Sequence, residues 1–482
     1  MSAMTKMSTS IHAIVDYEDP YVQPIIIAAL KSQLGEACKI HASPDTIPPD
    51  TIPPKARLLQ IRAYEAIDFE YGMSEPETLM NAYVIRKALI RKHYLSNVVH
   101  QWTAKNSESI LKQHFMPAED FELDYAEFLD DALVEAFDLR ASFEKNEDLE
   151  PADRQWWILK PSMSDRGQGI RLFSLEQELQ EIFEEWEAQN PDDDDDDGEF
   201  DEENGEVDAS EDANERPTTN SYQDEDRNAD ERGGDHIMTS HLRHFIAQPY
   251  IHPPLLIPDA PYNDRKFHIR TYVVAAGALQ VYVYSHMLAL FASESYSPPW
   301  TALPSSSSTN DDEADNETLL QRMRNVHLTN TCVQRSTAAE ANDSTDTDAD
   351  NVFLLSALPL PASTYSSLIS QIQLTTAELF RAACASPTNF QALPSAFEVF
   401  GVDFLVDESG NVSLLEVNAF PDFAQTGEML REKVVQGLWR DIVDVVVAPH
   451  FGIGKASGIA REGRKGGEEG LVRVLDLDMG RR

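Results

Sequence analysis

The sequence predicts a mixed α/β (α+β) fold: a small N-terminal α/β domain followed by larger lobes of sheet and helix. Three observations lead there. Between Phe397 and Pro421, two apolar runs flank a turn rich in Asp, Ser, Gly and Asn, which is a hairpin signal. From Arg265 to Val274, charged and apolar residues alternate with the period of a strand, and the run continues into a second hairpin ending near Tyr284. The stretches 363–383 and 427–447 instead space their apolar residues as helices do.

At 482 residues the chain is long enough for two or three domains, and 42% hydrophobic residues suffice to build their cores. The formal charge of −44 is uneven: Asp192 to Asp235 holds 21 acids and three bases, which accounts for −18 of it. No basic stripe stands out, so nucleic-acid binding driven by phosphate attraction is disfavoured. Cys38, Cys332 and Cys384 follow neither a metal-binding nor a disulfide spacing, which suits a reducing compartment. The first residues lack the apolar core of a signal peptide, and no stretch reaches the length of a membrane span. The expected location is cytoplasmic, with no membrane partner.

Taken in order, residues 11–15 read as a strand and 22–34 as a helix, the opening of the N-terminal domain. The prolines of 43–54 mark a surface loop. Residues 57–69 supply another strand, and 75–102 reads as a long helix bearing Arg86, Lys87, Arg91, Lys92 and His93. That basic run is either a solvated helix face or a docking surface for an acidic partner. Between 119 and 142, acids and aromatics alternate without a clean period, and a helix is placed only near 125–137. Trp156 to Lys160 is a buried strand, and a glycine-containing turn follows with Arg166, Gly167 and Gly169, then a helix over 175–186. Residues 190–237 have too few apolar side chains to order themselves. Order returns at His244 to Ile251, and Val326 to Asn330 forms an island between segments rich in Ser, Thr and Asp. A short last strand is expected at 471–475.

Two groups of residues carry chemistry. In the strand from Arg265, the side chains of Lys266, His268 and Arg270 share one face, and three bases on a sheet face call for an anion. If 408–411 is the loop of the last hairpin, Asp403 lies opposite Glu416, with Asn418 on the same face. Hard oxygen donors so arranged suit Mg²⁺ carrying a nucleotide phosphate. These residues alone are equally compatible with a hairpin whose acids face solvent.

The set Trp157-Ile-Leu-Lys160-Pro, Arg166-Gly-Gln-Gly-Ile, Gln248-Pro-Tyr-Ile, Arg265-Lys-Phe-His-Ile-Arg, Ser293-Glu-Ser-Tyr, His327-Leu-Thr-Asn330, Phe400-Gly-Val-Asp403 and Leu415-Glu-Val-Asn418 resembles the tubulin-tyrosine ligase family. The resemblance runs in order over 156–426. It implies an ATP-grasp fold, with nucleotide held between two α/β lobes. The expected divisions are an N-terminal domain over 11–75, a central lobe over 76–250 interrupted by the acidic insertion, a C-terminal lobe over 251–450 with insertions at 297–317 and 337–350, and a tail over 451–482.

The resemblance also implies roles. Lys160 contacts the α- and β-phosphates, and Arg166, Gly167 and Gly169 close over them. Gln248 and Tyr250 offer backbone groups to the adenine edge while Ile251 packs on the ring. Lys266 and His268 lie near ribose and phosphates, and Arg270 lies near the γ-phosphate or the substrate carboxylate. Asp403, Glu416 and Asn418 hold Mg²⁺, with Asn330 nearby. The implied reaction uses ATP to join an amino acid to a protein carboxylate, a tubulin tail being one such acceptor. Three positions depart from the family pattern: Pro249 stands where Lys is common, His268 where Asp is common, and Leu290 where an arginine helps hold the acidic substrate. Leu290, Pro249 and the long insertions motivate a second expectation, a catalytically weak nucleotide-binding member acting as a regulatory or assembly factor.

Overall fold

The computed structural model describes residues 10–42, 52–53, 55–161, 169–189, 244–302, 313–329, 351–453 and 470–478. Arg166, Gly167, Asn330, the acidic insertion up to 237, the insertion at 337–350 and most of the proline loop lie outside them.

Three sheets organise the chain. The first is wholly parallel, in the order β2-β1-β3-β4, from β1 (Ile11–Asp16), β2 (Cys38–His41), β3 (Arg57–Arg62) and β4 (Thr78–Met80). Parallel strands need crossovers, and the helix Gln23–Leu34 supplies the first, burying Ile25, Ile26, Ala29 and Leu30. The second sheet is antiparallel, in the order β5-β8-β6-β7, from β5 (Glu119–Glu122), β6 (Trp157–Pro161), β7 (Arg171–Phe173) and β8 (His244–Pro249). Its own core gathers Phe121, Trp157, Phe173, Phe183, Trp186 and Phe245.

The third sheet has seven strands: β9 (Arg265–Ala276), β10 (Gln280–Tyr284), β11 (Leu288–Ser295), β12 (Val352–Leu354), β13 (Phe397–Val406), β14 (Val412–Ala419) and β15 (Leu471–Asp476). β9 lies at its centre, paired along one edge with β13 and along the other with β11 and then β10. Phe267, Ile269, Val273 and Ala275 turn to a core that includes Leu368, Ile372, Leu379 and Phe380 of the helix Ala362–Cys384. On the opposite face, Tyr272 and Val274 pack with Val434, Leu438, Trp439 and Ile442 of the C-terminal helical segment from Gly427 to His450. That segment covers only part of the face, and the Lys266–Arg270 stretch is left to face the second sheet across a cleft.

Several expected elements differ. The helix placed over 75–102 is a strand, β4, followed by the separate helices Lys87–Ile90 and Lys92–Lys105. Tertiary pairing decides this: Met80 donates its N–H to Ser395 O at 2.9 Å, and the Asn81 side chain brackets the backbone of Arg62. The run 119–142 holds β5 and the helices Leu129–Ala132 and Phe137–Asn146 rather than one helix. The insertion expected to reach 317 contains the start of a helix, Glu313–His327. The C-terminal helix contains two π-helical stretches, Glu432–Gln436 and Val443–Val447. Among the described residues no helix is long and apolar enough to cross a membrane.

Candidate active site

Alternation along β9 puts Lys266, His268 and Arg270 on the cleft face, and all three are buried. Lys266 Nζ donates to the Tyr250 hydroxyl at 3.0 Å and lies 4.3 Å from that ring's centroid. The same hydroxyl is 2.8 Å from His327 Nδ1. Across the cleft, Lys160 Nζ at the end of β6 donates to Gln248 Oε1 at 2.8 Å. Among the described residues neither lysine has a carboxylate within 4 Å. Burial lowers the Lys160 ammonium to about 8, with Glu416 partly offsetting it. Burial and then repulsion from Lys160 bring Lys266 down to about 7. Two buried ammonium groups held by neutral partners form a receptor for an anion of high charge.

The hairpin β13–β14 brings Asp403 opposite Glu416 as expected, and a bulge just beyond Asp403 shifts the register toward the turn by one residue. The bulge adds local twist beside the site. Asn418 Nδ2 lies 3.2 Å from Glu416 Oε1 and 3.5 Å from Asp403 Oδ2. The three side chains therefore do converge. Arg270, expected at the γ-phosphate or substrate carboxylate, grips both oxygens of Asp403: Nη2 is 2.8 Å from Oδ2, and Nε bonds Oδ1. Lys92 Nζ is 3.8 Å from Glu416 Oε2. Burial pushes the Glu416 carboxyl up, but Lys92, Lys160, the Asn418 amide and Arg270 outweigh it and hold it down at about 2. This carboxylate is ionised at neutral pH and available to a cation. Among the described residues no three His, Cys, Asp or Glu side chains form a preformed cage. That suits Mg²⁺, which is commonly held by one or two carboxylates together with substrate phosphates. Asp403 and Glu416 offer oxygen donors that fit such an ion, and Asn418, whose Nδ2 now donates toward both carboxylates, would join them by turning its Oδ1 inward.

The cleft between the second and third sheets is open to solvent and lined by side chains of both. Gln248, Pro249, Tyr250 and Ile251 form its hinge wall. The Tyr250 N–H already donates to Trp156 O at 2.8 Å, so it is not free for an adenine edge. Ile158, Ile170, Leu405 and Leu415 supply apolar surface for a ring. Gly169 sits just before β7 with φ +67°, where a side chain would be strained.

Sequence reasoning missed Lys92, His327 and Thr329, which all line the cleft. The basic run near Lys92 is not a solvated face: Arg86 pairs with buried Glu398 and Lys92 points at Glu416. Nothing local distinguishes such lysines from solvated ones; the partner strand lies over 300 residues away in sequence. His327 and Thr329 belong to the expected ordered island, and their signal was the ordered run itself. Leu290 pairs in register with His268 and is buried at 1% exposure among apolar residues, so its position offers no substrate charge.

Residues 73–452 match the tubulin-tyrosine ligase family. A probable tubulin–tyrosine ligase of Saccharomyces cerevisiae, PBY1, is 41% identical over 449 residues, covering 92% of this chain and 53% of the relative. This chain therefore spans about half that relative's length. A probable tubulin–tyrosine ligase of Schizosaccharomyces pombe is 36% identical over 456 residues, covering 93% of this chain and 94% of the relative. Among solved structures, the C-terminal domain of K. lactis Pby1 is described as an ATP-grasp enzyme interacting with the mRNA decapping enzyme Dcp2. It superposes with a TM-score of 0.62 at 32% identity, covering 97% of this chain and 99% of that one.

Proposed function

The chain belongs to the tubulin-tyrosine ligase family and has an ATP-grasp fold, and from that premise we propose that it is an ATP- and Mg²⁺-dependent carboxylate–amine ligase that adds an amino acid to a protein carboxylate. The observation that carries this reading is a pair of buried lysines, Lys160 of the second sheet and Lys266 of the third, lining one cleft with Asp403, Glu416 and Asn418. The lysines take the phosphates of ATP, with Arg166, Gly167 and Gly169 closing over them. Gln248, Tyr250 and Ile251 border the base, and His268 and Asn330 lie toward ribose and phosphate. Asp403, Glu416 and Asn418 hold Mg²⁺, which supplies charge neutralisation at the transferring phosphoryl group. Arg270 keeps the Asp403 carboxylate in place.

The substrate carboxylate attacks the γ-phosphate, the bond to the bridging oxygen breaks, and ADP leaves. The amine of the incoming amino acid then attacks the acyl phosphate carbon, expelling inorganic phosphate and losing a proton as the amide forms. A carboxylate is already a nucleophile, so the protein's part is to position the reactants and exclude water from the acyl phosphate. Isothermal titration of the purified chain with ATP and Mg²⁺ tests the first requirement. Saturable one-to-one binding is expected, and its absence would sink the reading.

Leu290 favours a second reading, a catalytically weak member acting as a regulatory or assembly factor in a cytoplasmic complex. The Pby1 domain's description as interacting with a decapping enzyme is in keeping with it. Robust amide formation on a defined peptide would remove this alternative.

A further inference from the structure

The joint between the helices Lys87–Ile90 and Lys92–Lys105 is basic in a chain that is not. From Thr78 to Ser107 there is no Asp or Glu and there are five Lys or Arg, although the whole chain carries −44. The first of these helices packs on β14 of the third sheet and the second on β8 of the second sheet, so the joint touches both walls of the cleft. Lys92 lines the cleft from there, and its side chain is 23% exposed. Lys160 and Lys266 line it too, but both are buried. Arg270 is buried as well and already grips Asp403. Among the described cleft-lining lysines, Lys92 is therefore the one that solvent reaches.

The contacts of the three lysines give the cleft a direction. Lys160 and Lys266 are each fastened to a residue of the hinge wall, Gln248 and Tyr250. Lys92 instead stands beside the hairpin, its Nζ 3.8 Å from Glu416 Oε2, which is too long for a hydrogen bond. An ammonium has three N–H donors, and one long ion pair leaves them for an incoming oxygen. On the ligase reading, the base lies at the hinge wall and the phosphates at the two buried lysines. The end of the cleft at Glu416 and Lys92 is then left for the acceptor, which, being part of another protein, must enter from solvent.

We propose that Lys92 takes the carboxylate of the acceptor and that the basic joint around it is the docking surface for an acidic peptide segment. The inference rests on the ligase reading above and names the charge that Leu290 does not supply. A partly exposed ammonium suits the task, since it attracts an acidic segment at range and costs less to desolvate than a buried one. RNA would meet the same bases, but its affinity comes from many phosphate contacts, which one joint on a chain at −44 does not offer.

Fluorescence anisotropy of labelled hexaglutamate on the full chain is the test, with ATP titrated separately by calorimetry. Wild-type protein should bind hexaglutamate saturably and lose affinity as salt rises. Lys92→Met should weaken that binding about tenfold or more, and Lys92→Arg should restore most of it. ATP affinity should change by less than about threefold in both, because an exposed ion pair to Glu416 is worth little. Wild-type protein that binds ATP but not hexaglutamate overturns the proposal and needs no variant to fold. Equal weakening of ATP and hexaglutamate in Lys92→Met overturns it as well, leaving Lys92 a support for Glu416. Oligouridylate that binds more tightly than hexaglutamate and depends on Lys92 does the same. Hexaglutamate binding without ATP binding would instead fail the ligase reading and leave the docking surface standing.

Discussion

Lys160 and Lys266 are each buried against a neutral hydrogen-bond acceptor, one an amide oxygen and the other a phenol. Removing such a charge relieves a desolvation cost and, on the proposed reading, deletes a phosphate contact. Lys266→Met is therefore expected to weaken ATP binding by about 10- to 100-fold, the worth of a hydrogen bond to a charged group, and to leave the thermal midpoint unchanged or higher. Calorimetric titration beside a thermal melt checks both. The same groups give a pH dependence. Burial lowers Lys266 to about 7 and Lys160 to about 8, and a polyphosphate bound beside them would raise both values. Binding then takes up protons, so affinity falls as pH rises through that window. Titrations at pH 8 in buffers of differing ionisation enthalpy measure the uptake; a value of zero contradicts the linkage. At this scale the sequence showed the basic face of β9 plainly, because alternation alone assigns it. It did not show that Arg270 is bound up with Asp403, since that contact joins residues 133 apart in sequence through the pairing of β9 and β13.

Among the elements, the β13–β14 hairpin bears most on the site. Gly401 pairs with Asn418, and a side chain there would meet Pro421 Cβ at 3.0 Å and Arg270 Cδ at 3.4 Å. Gly401→Ala is expected to cost about 1–3 kcal/mol by overpacking and, by displacing Arg270, to weaken metal–nucleotide binding further. Denaturation curves and nucleotide titration of the variant separate the two effects. A second fastening joins β13 to the segment after β4: Arg86 Nε lies 3.2 Å from Glu398 Oε1, and its guanidinium sits 3.8 Å from the Tyr64 ring centroid. Burial raises Glu398 to about 7 despite Arg86. Arg86→Ala, which strands that carboxylate, should lose about 3–5 kcal/mol, and Arg86→Met with Glu398→Leu far less. Chemical denaturation reads both. The hairpin was legible because its turn residues and alternation agree, but the expected loop of 408–411 is one residue out of register with the observed turn, where Val406 pairs with Val412, and Asp403 meets Glu416 only because of the bulge. The bulge falls at Leu415 of β14, where two adjacent apolar residues, Leu414 and Leu415, interrupt the alternation. The long helix expected over 75–102 failed for another reason: its local pattern was helical, but edge pairing with β3 and a contact to Ser395 won.

Across the whole molecule, the two lobes meet where the C-terminal helical segment stops covering the third sheet, and the polar end of β9 is exposed to the second sheet. That arrangement follows from the order of motifs along the chain, which is why the family and fold could be read before the coordinates. Identity of the acceptor could not, because Leu290 is an apolar side chain buried in a core and names no partner. The proposed reaction joins an amino acid to a protein carboxylate at the expense of ATP. It is tested most directly by supplying purified protein with ATP, Mg²⁺ or Mn²⁺, a panel of amino acids and acidic peptides including tubulin tails, and following ADP release and peptide mass together, with Glu416→Gln alongside. At least one peptide is expected to gain an amino-acid residue in step with ADP, and Glu416→Gln to lose that product. ATP binding without any such product across the panel, or an equally active Glu416→Gln, would contradict it.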